Sequence, residues 1–322
     1  MNSVLSSIFL SAPRPETATR LPTTDKPIAF PQAKAVRNET GRDRNDADAA
    51  EACESYNNTT HSILAVRTVY QKIHDMMITL AMEPNEASID LQHAALIIID
   101  MQRDFIEPNG FGEQLGNDVT KLQRAIAPCQ AVLEAARQAG LLIIHTREGH
   151  RPDLSDLHDM KRQRPGSTKP GIIGEPGPKG RILIRGEEGH DILPSLYPLV
   201  GEPIIDKPGK GSFYATDLEC ILQANRIQYL FVCGVTTEVC VHTTIREAND
   251  RGYYSIALSD CCASYFDDFH EAALKMIVAQ GGIFGSVTTS KEFISALTEK
   301  WWAVWSTQHS SSATCFCTYV TE

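Results

Sequence analysis

No apolar run in the 322-residue chain approaches the roughly 20 residues that a membrane-spanning helix requires, so a membrane partner is not expected. Basic charge is scarce as well. Thirty Lys and Arg stand against 40 Asp and Glu, a formal net charge of -10, and without clustered cations neither nucleic acid nor an anionic surface is an expected partner. The nine cysteines, at 53, 129, 220, 233, 240, 261, 262, 315 and 317, are odd in number and lack paired spacing. That excludes a disulfide framework and argues for a reducing compartment. Cys315 and Cys317 form a C-x-C pair with no accompanying His pattern and receive no role. The stretch MNSVLSSIFLSAP has no Lys or Arg before Arg14, so the basic region of a secretory signal is missing. The expected location is cytoplasmic, with secretion the minor alternative; only under that alternative do the sequons at Asn38, Asn57 and Asn58 matter.

What is present divides the chain into four parts. Residues 1–60 are rich in Ser, Thr, Pro, Asn and charge without an apolar period, which reads as a disordered N-terminal extension. Residues 61–84 read as a docking helix or linker, with 62–82 apolar enough for the helix. Residues 85–299 carry the folded domain, and 300–322 form an irregular tail with three tryptophans.

Within 85–299, short apolar runs alternate with helical stretches. The runs cover 94–100, 141–146, 203–207, 229–235, 253–260 and 282–287. Continuous apolar strands separated by helices predict right-handed crossovers and a six-stranded, mainly parallel sheet in a three-layer αβα architecture. Helices are expected near 118–139, 215–225, 237–251, 268–280 and 290–299, the first kinked by Pro128. The Gly- and Pro-rich connection 147–202 is long enough to serve as a wall or lid.

In an open parallel sheet, ligands bind outside the carboxyl ends of the strands. Asp100 ends the first run, Lys207 ends the third, and Cys240 begins the helix after the fourth. Taken alone, Asp100 caps a turn, Lys207 is solvated and Cys240 is a small buried hydrophobe. Together they bring a thiol, an ammonium and a carboxylate to one crevice. With Thr237 as N-cap, Cys240 is the third helical residue, where the helix dipole and Lys207 are expected to lower the thiol pKa while Asp100 accepts its proton. Val241, Ile245 and Ala248 form the buried stripe of that helix, which leaves Cys240 off it. His242 is rejected as its base, because residues two apart on a helix do not face each other. His145 and His150 lack a clear third metal ligand and read as structural or substrate-loop residues. KPGKGSF does not match a phosphate-binding loop, and Cys261 and Cys262 read as core and loop.

The blocks LIIIDMQRDF, IIDKPGKGSFYATDL and GVTTEVCVHTTIREANDRGY resemble those of the isochorismatase-like cysteine hydrolases, over about residues 85–298. The resemblance implies that fold, with Asp100 as base, Lys207 as electrostatic partner and Cys240 as nucleophile. It places an oxyanion hole at the backbone N–H groups of Thr236 and Cys240 beside a cis Val235–Thr236 bond. HTREGHRPDL, GEPGPKGRILIRGEEGHDILPSLYP and KMIVAQGGIFGSV further resemble biuret amidohydrolases, which implies Phe105 as a pocket wall and Gln280 as a ureide contact. The implied reaction is hydrolysis of a carbamoyl C–N bond with release of ammonia, biuret to allophanate, on a small-molecule ureide. Ureidoacrylate, triuret and N-carbamoyl amino acids are the alternatives, and a non-catalytic binding or effector protein on the same fold is the other class. No cofactor is implied. No metal is implied either. A homo-oligomer is expected from the same resemblance.

Overall fold

The computed structural model describes residues 76–162 and 173–299. All of these belong to the unit Thr60–Glu322, and the separate unit Met1–Thr59 lies outside them. The expected extension at 1–60, the start of the docking helix at 61–75 and the tail at 300–322 therefore fall outside the described residues. The described end of the docking segment is not helical. Met77–Leu80 is a strand, paired antiparallel with Ala87–Asp90.

Six strands build the central sheet: β1 (Ala94–Ile99), β2 (Leu142–Glu148), β3 (Ile204–Lys207), β4 (Tyr229–Val235), β5 (Tyr254–Ala263) and β6 (Ser286–Thr288). They lie in the order β6-β5-β4-β1-β2-β3, and every pairing is parallel. The apolar run AALIII of β1 is buried throughout, as a central strand covered on both faces must be. Its period of two sorts the core into two layers. Leu96 and Ile98 pack with one cluster, which includes Val132 and Leu133 of α1 (Ile126–Ala139) and Phe293 of α5 (290–299). Ala95, Ile97 and Ile99 pack with the other, from α2 (Leu218–Ala224), α3 (His242–Asp250) and α4 (Asp267–Gly282). This is the expected three-layer αβα fold.

The first helical region differs in detail from the kinked helix expected over 118–139. It is two pieces, Thr120–Gln123 and Ile126–Ala139, with the break before Pro128 rather than at it. A proline ring clashes with the carbonyl four residues earlier, here that of Arg124, so the helix restarts at 126 and places Pro128 in its first turn. Cys261 and Cys262, expected as core and loop, both lie within β5 and are buried.

One glycine decides the geometry beside the crevice. Gly234 in β4 has φ +119, and its register partner Ile99 lies so close that an added Cβ would overlap the Ile99 backbone. The pairing with β5 shifts between Val232 and Gly234, an irregularity near the carboxyl end of β4. Gly234→Ala combines a forbidden dihedral with a backbone collision that no side-chain rotation relieves. The expected loss is about 4 kcal/mol or more, read as collapse of the urea unfolding midpoint or failure to recover folded protein.

Candidate active site

The chain runs from β1 outward through β2 and β3, then returns to the opposite side of β1 at β4. The resulting switch point lies between β1 and β4, and the crevice outside their carboxyl ends is where the fold offers room for a ligand. Asp100 follows β1 directly, with φ +51. Lys207, the last residue of β3, reaches across to it: Nζ is 2.7 Å from Asp100 Oδ2, and both side chains are fully buried. Nζ also donates to the carbonyls of Gly209 (3.1 Å) and Lys210 (2.8 Å). Thr146 Oγ1 donates to Asp100 Oδ1 at 2.6 Å, so each carboxylate oxygen has its own partner. Burial works against the Lys207 charge, but the negative charge of Asp100, with that of Glu148 behind it, outweighs burial and holds the ammonium above the ordinary lysine range.

Cys240 enters from the turn after β4. The Val235–Thr236 bond is cis, as the resemblance implied. The N-cap is Thr236 rather than Thr237, and Thr237–Val241 forms a widened turn in which Val241 N–H reaches the Thr236 carbonyl at 3.3 Å. Thr237 instead meets His270, Oγ1 to Nδ1 at 2.7 Å. Val241, Ile245 and Ala248 form the buried stripe as expected, but Cys240 is only 4% exposed itself. That burial corrects the expected thiol pKa. Desolvation raises it well above the ordinary value, Asp100 and Glu148 add to the rise, and Lys207 and Lys210 oppose it without prevailing. The resting sulfur is a thiol, and it donates to Glu148 Oε2 at 3.5 Å.

Glu148, which the sequence reading passed over, is the last residue of β2 and is fully buried. Its Oε1 accepts from Lys161 Nζ and from Lys210 Nζ, each at 2.7 Å. Gln102 clamps its backbone, accepting the Glu148 N–H at 2.7 Å and donating to the Glu148 carbonyl at 3.0 Å. Burial alone would raise the carboxyl pKa, but Lys210, Lys207 and Lys161 bring it down to about 2, so Glu148 is ionised. The buried cluster thus sets three ammonium groups against two carboxylates. It is one negative charge short while Cys240 is protonated, and passing the thiol proton to Asp100 leaves that sum unchanged.

Of the histidines, His150 is tied into this arrangement. Lys161 Nζ donates to His150 Nε2 at 2.9 Å, which leaves Nδ1 as the protonated nitrogen facing Asp156 Oδ1 at 3.2 Å. His145 Nε2 meets Glu202 Oε2 at 3.0 Å. His242, rejected as a base, accepts from Arg246 Nε at its Nδ1 (3.0 Å). Ligand atoms of Asp100, Glu148 and Cys240 do converge within 4.8 Å, as cation ligands would. The three ammonium groups already compensate those carboxylates and would repel a divalent ion.

Phe105 lies one short turn past Asp100, 7% exposed and edge-on to Phe111. Its carbonyl accepts from Tyr265 Oη at 2.7 Å. Tyr265, missed in the sequence, lies two residues past the carboxyl end of β5, which places it on the crevice side of the sheet; burial raises its hydroxyl pKa. Gln280 is not brought there within the chain. Helix α4 runs back from the crevice end, so Gln280 near its C-terminus, exposed and with φ +53, sits at the opposite end of the sheet. A cavity of about 550 Å³, lined by His158, Met160, Lys161, Pro208, Lys210 and Tyr214 among others, borders the two lysines that hold Glu148.

A parallel sheet whose switch point gathers a thiol, a carboxylate and an ammonium in one buried cluster is an arrangement suited to a cysteine nucleophile. The model of the isochorismatase domain family matches residues 94–292, more than half of the chain, and the chain belongs to that family. A cysteine hydrolase from Pseudomonas syringae pv. phaseolicola 1448A is 31% identical, the match covering 66% of this chain and 95% of that one at a TM-score of 0.56. An isochorismatase family protein from Desulfovibrio vulgaris subsp. vulgaris str. Hildenborough shares the fold at 23% identity and a TM-score of 0.54, covering 64% of this chain and 98% of that one. Among the described residues no helix is long and apolar enough to cross a membrane.

Proposed function

We propose that this chain is a cysteine amidohydrolase that cleaves the terminal C–N bond of a linear ureide, biuret to allophanate, with release of ammonia. The observation that carries the reading is the Cys240 thiol, held between two buried carboxylates and beside the Lys207 ammonium. Asp100 takes the thiol proton as sulfur attacks the carbamoyl carbon, and the N–H groups of Thr236 and Cys240 receive the carbonyl oxygen as it becomes anionic. When the tetrahedral species collapses, the C–N bond breaks and Asp100 returns the proton to nitrogen, which departs as ammonia. Water then attacks the thioester, gives its proton to Asp100, and the released sulfur regains a proton from the same carboxyl. No step calls for a cofactor.

Ammonia release from purified full-length protein tests this reading with four substrates: biuret, triuret, ureidoacrylate and an N-carbamoyl amino acid. Biuret is expected to turn over fastest. A faster rate on another member assigns the substrate to that ureide, and no ammonia from any of them leaves a binding or effector protein on the same fold. We also propose a cytoplasmic homo-oligomer.

A further inference from the structure

We infer that Glu148 reads the leaving amine: its Oε2 accepts an N–H of the nitrogen that is about to be expelled, so the site selects amides over esters of the same acyl group. This deepens the amide-hydrolase reading above and rests on it. The argument follows the four carboxylate oxygens around Cys240. Asp100 Oδ1 is taken by Thr146 and Asp100 Oδ2 faces Lys207. Glu148 Oε1 is taken by both Lys161 and Lys210. Glu148 Oε2 has the Cys240 thiol as its donor. Once that proton leaves and sulfur attacks, a fully buried carboxylate oxygen is stripped of its donor, which is costly unless the substrate supplies another.

Geometry identifies which part of the substrate that is. Asp100 protonates the leaving nitrogen, so that nitrogen comes within hydrogen-bond distance, about 3 Å, of the Asp100 carboxyl. Ligand oxygens of Asp100 and Glu148 and the Cys240 sulfur all lie within 4.8 Å of one another. A nitrogen about 3 Å from the first oxygen fits within the same reach of the second. The carbonyl oxygen cannot take this place, since it becomes anionic during attack and would face a carboxylate. An ester fails there too, because its alkoxy oxygen presents a lone pair and no donor.

The test compares whichever ureide of the panel turns over with the methyl ester of the same acyl group; for biuret this is methyl allophanate. Both pass through the same thioester, so kcat/KM differs only through acylation and the group expelled. Wild-type protein is expected to favour the amide by about 10-fold or more, although methoxide is the better leaving group. In Glu148→Gln the two lysines claim the amide oxygen and turn its NH₂ toward the substrate N–H, donor against donor. The expected result is a loss in kcat/KM about 10-fold or more greater for the amide than for the ester, since any effect on Cys240 itself is common to both. A residue with a merely structural role would lower both equally. Equal losses in the variant, or a wild-type protein that prefers the ester, overturn the inference while leaving the amidohydrolase reading intact. If Glu148→Gln does not fold, the wild-type preference decides alone. Ammonia from no ureide overturns both.

Discussion

Replacing Cys240 by serine is expected to lower kcat for ammonia release by about 10⁴-fold or more while the protein stays folded. A serine hydroxyl has a proton affinity far above that of a thiol, and here it would meet the same burial that already raises the Cys240 pKa. Glu148, its carboxyl brought down to about 2, is not basic enough to ionise it. Stability should change little, because the hydroxyl still donates to Glu148 Oε2 and fills nearly the same space. Melting temperature and ammonia assay on the same preparation separate the two effects. Full activity in Cys240→Ala would return the residue to the role of core filler.

Lys207→Met is expected to damage both stability and chemistry. The ammonium is the charge partner of Asp100 at 2.7 Å, and both side chains are fully buried. Removing one partner of a buried pair leaves an uncompensated charge, at a cost of about 3 to 5 kcal/mol. For a domain of this size that lowers the melting temperature by roughly 10 °C. The chemical effect has its own readout. Lys207 is the largest influence opposing the upward shift of the Cys240 thiol, so its loss moves that pKa further up. Alkylation of Cys240 by iodoacetamide should still accelerate as pH rises past the ordinary thiol value of about 8.5 in the wild type, and at higher pH still in the variant. An unchanged alkylation profile in a folded Lys207→Met protein would show that the ammonium does not act on the sulfur.

The architecture was legible because its signals are local. Six apolar runs separated by helical stretches specify a doubly covered parallel sheet, and all six became strands, five of them with shifted ends. Asp100 and Lys207 stood at the ends of such runs and Cys240 just after one, so the strand-end rule was sufficient to bring them together. The same rule would have found Glu148 had the second run been followed two residues further, past Thr146, to the charged residue that ends β2. Lys161 and Lys210 carried no comparable signal, since a lysine in a loop reads as solvated until the fold shows its carboxylate. The thiol pKa was misjudged for a related reason. Helix position and neighbouring charge can be read from sequence, whereas burial, the largest influence on Cys240, cannot. Gln280 was assigned by resemblance, but the direction of α4 carries it to the far end of the sheet. Met77–Leu80 is too short for periodicity to separate strand from helix, and its pairing with Ala87–Asp90 settles it.

The most direct test of the central claim is to catch the covalent intermediate. Protein turning over biuret is quenched in acid within the first turnovers, digested and analysed by mass spectrometry. The account predicts an allophanoyl group on the Cys240 peptide of the wild type, appearing with a stoichiometric burst of ammonia and absent from Cys240→Ser. A protein that releases ammonia steadily with Cys240 unmodified, or that does so equally well as Cys240→Ala, would contradict it.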